Sequence, residues 1–120
     1  MVTDIFTNPA ELKGLNKWSK YKEHLLSLDD QSLCCRFGYA INEASMDQFI
    51  EKCKAEDDKH HLFTIRDLEG TIVAVAHVGL MEEGAEVGLS VVPESQHHGL
   101  GNKILLLVLV VLTCSAKICR

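Results

Sequence analysis

Leu15, Trp18, Tyr21, Leu25 and Leu28 recur at spacings of three and four, which lays them along one face of a helix over about 15–27. The lysines between them, Lys17, Lys20 and Lys22, fall on other faces and read as solvated. Met46, Phe49, Ile50 and Cys53 repeat the helical spacing behind Ser45-Met46-Asp47-Gln48, which has the form of a capping box, so a second amphipathic helix is predicted up to the charges of Glu56 to Lys59. Between the two, Leu33, Cys34 and Phe37 make an apolar patch of unassigned structure that stops at Gly38. Upstream, Asn8-Pro9-Ala10-Glu11 offers a capping residue, a proline at the first helical position and a glutamate. A short helical turn ending at Gly14 is predicted there, within a loose N-terminal segment over 1–14.

The period then changes. Phe63 and Ile65 alternate, Asp67-Leu68-Glu69-Gly70 is a turn, Thr71 to Gly79 is rich in branched residues, and Glu82-Glu83-Gly84 turns the chain again before Ala85 to Val92. Three strands joined by short turns predict an antiparallel meander. In the last of them Val87, Leu89 and Val91 point one way, and Glu86, Gly88 and Ser90 the other. The second face is small and polar, which fits a ligand-facing surface and an exposed outer face equally. Ile104 to Leu112 is an uninterrupted apolar run. It falls short of the roughly 20 residues a membrane span needs. Its position after Gly101 suits a helix, whereas its Leu-Val content also suits a strand.

A chain of 120 residues forms one domain with one core. The element order predicts an α/β fold of the α+β type, a mainly antiparallel sheet flanked by helices. The net charge of −5 and the lack of a basic stripe exclude sequence-independent nucleic-acid binding and disfavour an anionic membrane. The five cysteines, at 34, 35, 53, 114 and 119, form no Cys-x-x-Cys pair, and no basic-then-apolar leader opens the chain. A reduced, cytoplasmic protein is expected, with Cys34 and Cys35 as partly buried core thiols rather than a redox pair.

The candidate chemistry centres on Val91-Val92-Pro93-Glu94-Ser95-Gln96-His97-His98-Gly99-Leu100-Gly101-Asn102-Lys103. A strand ends at a proline and a glycine-spaced loop opens a helix, whose first-turn N–H groups and dipole favour an anion. Gly99 and Gly101 let a phosphate approach, and Lys103 adds charge. Gln96-His97-His98-Gly99-Leu100-Gly101 resembles the Gln/Arg-x-x-Gly-x-Gly/Ala motif of the GNAT superfamily of acyl-CoA-dependent N-acetyltransferases at every fixed position. Leu33, Arg36, Phe37 and Gly38 are similar to a passage that some acetyltransferases carry between their first helices.

The resemblance, over about 15–120, implies an acetyl-CoA site. Amides from Gln96 to Gly101 would hold the pyrophosphate, with Asn102 and Lys103 in the same turn. The strand ending at Val92 would pair with the pantetheine arm, and a backbone N–H near Val91 or Val92 would hold the carbonyl oxygen. It also implies transfer of an acetyl group to a primary amine, on a small molecule or a protein, by direct attack on the thioester. An alkylamine with a pKa near 10.4 is mostly protonated at neutral pH, so a base is useful. The family often places a glutamate where Glu86 stands, although a strand glutamate is also commonly just solvated. His77 is the second candidate, against a packed histidine satisfied by backbone.

His97 and His98 flank the loop, either donating to phosphate or facing water. His60-His61 and His97-His98 form no recognisable ligand set, because adjacent residues on a strand face opposite ways, and no metal is expected. Glu82, Glu83 and Glu86 suggest a cationic acceptor or a solvated turn. Family members continue with further strands and often a tyrosine acid beyond this point. Tyr21 and Tyr39 precede the motif and do not carry that role, so the C-terminal half of the family's domain is expected to be missing. The alternative is a non-catalytic acyl-CoA-binding or interaction module. A homodimer is a further expectation, since it would cover the Ala85 to Val92 strand and the apolar 104–112 segment.

Overall fold

The computed structural model describes residues 6–118, and the side chains of residues 6–112. Four strands, β1 (Ala10–Leu12), β2 (His60–Arg66), β3 (Ile72–Met81) and β4 (Gly84–Val91), lie in the spatial order β1-β2-β3-β4 and are antiparallel throughout. Helices α1 (Lys17–Leu26), α2 (Asp30–Phe37) and α3 (Glu43–Ala55) precede β2, and α4 (Leu100–Ile118) follows β4. Period-two alternation sorts the sheet into two faces. His77, Gly88 and Ser90 meet α1 and α2 on one face, while Phe63, Val78 and Leu80 meet α4 on the other.

Trp18, Tyr21 and Leu25 form the inner face of α1 at the expected spacing, with His24 beside them and Leu28 buried just after the helix, whereas Leu15 precedes the helix and is fully exposed. Lys17 differs from expectation. It is 8% exposed, because position 17 stands one turn before Tyr21 on the same face of α1, and its ammonium is satisfied there by Asp57 Oδ1 at 3.2 Å and the His60 carbonyl at 2.6 Å. The Leu33–Phe37 patch is helical. Asp29 caps it by accepting from the Ser32 N–H at 2.8 Å, and Gly38 ends it. Cys34 and Cys35 on this helix are exposed rather than partly buried, because α2 turns Leu33 and Phe37 toward the core instead. The cap of α3 is Asn42, whose Oδ1 accepts from the Ser45 N–H at 2.8 Å. Ser45 is therefore already inside the helix, and the predicted capping box is not used.

Ala10–Leu12 is a strand and not a helical turn or loose segment. Ala10 pairs with Thr64 and Leu12 with Leu62, Phe6 bridges to Asp67, and Leu12 is buried. So short a helix would face the cost of nucleation, whereas pairing along β2 satisfies the backbone at once. The apolar run after Gly101 is helix. Leu100, Ile104 and Val108 enter the core at intervals of four, while Leu106, Leu109 and Val110 stay exposed. Among the described residues no helix is long and apolar enough to cross a membrane. The side chains of Cys114 and Lys117, and Cys119 and Arg120 altogether, lie outside the described residues.

Candidate functional site

Strand β4 is the edge of the described sheet, so one of its two rows of backbone groups is paired and the other is open. The Val92 N–H donates to the Val73 carbonyl at 2.9 Å. Alternation therefore turns the Val91 N–H to the open edge, and of the two residues named from sequence Val91 is the one placed to meet a ligand carbonyl. Gln96 Nε2 donates to the Val91 carbonyl at 3.0 Å and to Ser32 Oγ at 3.1 Å. Its side chain thus ties the loop to the end of β4 and to α2.

Three cavities follow β4 in chain order. One, of about 450 Å³, takes in Glu86 and Gly88. The next, of about 540 Å³, lies between Leu89–Val91 and α2 and reaches Gln96 and His97. The third, of about 250 Å³, holds Gln96, His97 and Gly99–Asn102. From Glu86 to Val91 the strand advances about 17 Å.

The loop end is an amide cradle. The Lys103 N–H donates to the Gly99 carbonyl at 3.1 Å, closing the first helical turn, which leaves the N–H groups of Gly99, Leu100, Gly101 and Asn102 ahead of any intrahelical acceptor. The Gln96 N–H is turned into the preceding turn, 3.3 Å from the Pro93 carbonyl. Gly99 has φ +74°, a left-handed backbone, and a Cβ at Gly99 or at Gly101 would meet nothing within 4 Å, so the space above both is open. His97, also left-handed at φ 69°, lines the two cavities at this end. His98 packs its ring edge-on to Phe6 at 5.5 Å. Lys103 is exposed one turn into α4, outside the cavity lining.

At the other end, register builds the pocket. His60 pairs with Gly79 and Gly79 with Glu86, so His60 and Glu86 flank a residue without a side chain, about 10 Å apart across two strand spacings. On the next rung His77 pairs with Gly88. A Cβ at Gly88 would stand 2.3 Å from Arg36 Cζ, so that glycine makes the seat for the Arg36 guanidinium. Glu86 is exposed at the rim of this cavity, while Glu82 and Glu83 sit at the tip of the hairpin outside its lining.

His77 is only 5% exposed, and both of its nitrogens are occupied. Nδ1 lies 3.1 Å from Arg36 Nη2 and 3.3 Å from Tyr21 Oη, and Nε2 lies 2.9 Å from His60 Nδ1. Because guanidinium only donates, Nδ1 accepts, and Nε2–H donates to His60. Burial, and then the Arg36 cation, push the His77 pKa down to about 3. No lone pair of His77 is left for an amine proton, whereas Glu86 presents an exposed carboxylate to the cavity. Burial also lowers His60 below its ordinary value.

Ligand atoms of Cys53, His60 and His77 come within 4.8 Å of one another, a grouping the adjacent histidine pairs in the sequence did not point to. A hydrogen bond of 2.9 Å joins the His60 and His77 rings, and the buried Cys53 thiol lies beside them. A metal on His77 Nε2 would break that bond and force the proton onto Nδ1, against the Arg36 guanidinium. Sequence reasoning also missed His24, a buried histidine of α1 whose Nε2 accepts from Ser90 Oγ at 2.8 Å and whose pKa burial lowers to about 4.

Neither a family model nor a curated protein sequence matches this chain. Its structure is similar to the crystal structure of an N-acetyltransferase from Staphylococcus aureus Mu50, with a TM-score of 0.58 and 12% identity, over 91% of this chain and 68% of that one. A second similar structure is glucosamine-6-phosphate N-acetyltransferase from Arabidopsis thaliana, with a TM-score of 0.49 and 16% identity, over 88% and 73% of the two chains. The first likeness, with the four-stranded antiparallel sheet between α1–α3 and α4, carries the assignment. The chain has the fold of the GNAT N-acetyltransferases.

Proposed function

We propose that the protein transfers an acetyl group from acetyl-CoA to a primary amine. The observation that carries this reading is the order of features along β4: a carboxylate in a cavity at one end, an open backbone edge in the middle, and an amide cradle at the other end. Gly99, Leu100, Gly101 and Asn102 would bind the pyrophosphate through their N–H groups, with His97 beside them. The open edge of β4 would take the pantetheine arm, with the Val91 N–H donating to one of the arm's amide carbonyls, and an outward N–H further back along the strand, within reach of Glu86, would stabilise the oxygen that gains charge when the thioester is attacked. Glu86 would accept a proton from the bound ammonium. The amine nitrogen then bonds to the thioester carbon, the carbon–sulfur bond breaks, and the leaving thiolate takes up the proton that the nitrogen releases. No covalent enzyme intermediate is needed.

Calorimetric titration of acetyl-CoA into the parent chain and into Gly101→Glu tests the cosubstrate site, and thiol release with a panel of amines tests turnover. Saturable binding lost in the folded variant, with amine-dependent thiol release by the parent, is expected. Binding without release from any amine makes the chain an acyl-CoA-binding module. No binding by a folded parent removes the reading.

A further inference from the structure

Arg36 is a cation without a counter-ion. Among the described residues no carboxylate lies within ion-pairing distance of it; Lys20, Lys52 and Lys103 share that lack but are exposed to solvent, and Arg66 bonds the Gly70 carbonyl, whereas Arg36 is half-buried. Its Nη2 is spent on the neutral acceptors Tyr21 Oη, at 2.9 Å, and His77 Nδ1. Its Nε is buried and has no hydrogen-bond partner. The guanidinium is seated by contacts that fix its position without neutralising it. Phe37 lies 4.7 Å and Phe49 5.6 Å from Cζ, and Gly88 makes room beneath. A partly desolvated cation held this way, with an unspent donor, favours a planar anion.

The same cavity carries both signs of charge at its rim, in Lys52, Glu56 and Glu86; Glu56 is paired with Lys59 at 2.8 Å, which leaves Glu86 as the unpaired carboxylate there. We infer that the acceptor amine also bears a carboxylate, which pairs with Arg36 while its ammonium meets Glu86, so that the substrate class is amino-acid-like. This rests on the acetyltransferase reading and adds to it the group that selects the acceptor. Arg36 would act as a specificity residue, and Tyr21 and His77 as the groups that position it.

The test compares L-amino acids, each paired with its own carboxamide. Binding is read in the CoA-saturated protein by the emission of Trp18, the single tryptophan, whose ring lies 5.9 Å from that of His77. Thiol release with acetyl-CoA is measured separately. The carboxylate member of at least one pair should bind about 10- to 100-fold more tightly, the ratio a charge-assisted hydrogen bond carries. R36Q should erase the preference and R36K should keep part of it. G88A, which displaces the guanidinium without removing it, should reduce the preference in a protein with unchanged circular dichroism. An Arg36-dependent preference without thiol release would sustain this inference and sink the acetyltransferase reading. Turnover of neutral amines with no preference for the carboxylate in any pair, or equal losses for both members in R36Q, would overturn the inference and leave that reading intact.

Discussion

Arg36 Nη2 stands 3.1 Å from His77 Nδ1, and that contact fixes which nitrogen of the buried ring is bare. His77 must stay neutral for the pair to exist, as His24 must beneath Ser90. Both folded pKa values lie below the ordinary 6.5, at about 3 and about 4, so the unfolded chain binds more protons between those values and 6.5. The stability these groups contribute is complete above pH 6.5 and is lost as pH falls. Near pH 5 the two together give a slope of about 2.5 kcal/mol per pH unit. Urea midpoints at pH 5, 6 and 7 measure it, and a flat profile would remove the neutral assignment.

Gly88→Ala should push the guanidinium, the far end of a flexible side chain, off its seat, and should cost about 1 kcal/mol through the strained bonds to Tyr21 and His77. In an Arg36→Ala background the same substitution should cost close to nothing. The double-mutant cycle in urea isolates this term. Equal costs in the two backgrounds would mean that Arg36 is not seated on Gly88.

Ser90→Ala leaves His24 Nε2 buried without its donor. The expected loss is about 1–3 kcal/mol. It should show as a lower urea midpoint with an unchanged slope, and a loss within error of zero would contradict the bond.

The two loop glycines should separate stability from binding. Gly99→Ala forces a side chain onto a left-handed backbone and should cost about 1–2 kcal/mol. Gly101→Glu places an acidic group in the first turn of α4, where the dipole favours it, and should leave stability unchanged or raised by up to about 1 kcal/mol. Calorimetry should nevertheless find acetyl-CoA affinity reduced by at least an order of magnitude in Gly101→Glu, since like charge and bulk fill the cradle. Undiminished affinity would move the phosphate site elsewhere.

Glu86→Gln should lower kcat by about 10²- to 10⁴-fold with acetyl-CoA affinity intact. The deficit should shrink as pH rises toward the acceptor's own pKa, where the amine is already neutral. A variant as active as the parent would rule Glu86 out as the base.

The meander of β2, β3 and β4, the core face of α1 and the glycine loop were legible in the residues because each is a local pattern. Strand β1 was not. Asn8-Pro9 reads as a helix start in isolation, and only β2 alongside makes Ala10–Leu12 a strand. The capping box at Ser45 lost to Asn42, which was equally suitable by type and differed only in where α3 begins. The Arg36 pocket was beyond reach for a different reason. Arg36, Tyr21, His60 and His77 come from four elements, and the notch they share depends on strand register putting Gly79 beside His60 and Gly88 beside His77. Nothing along the chain announces that pairing.

The open edge of β4 also sets a rhythm in time. The amides of Ser90 and Val92 face β3 and those of Leu89 and Val91 face outward, so in the free protein hydrogen exchange along this strand should alternate between slow and fast from one residue to the next. A pantetheine arm laid on the edge would slow the outward set selectively. Residue-resolved exchange at Val91 would then report cosubstrate binding without any turnover at all.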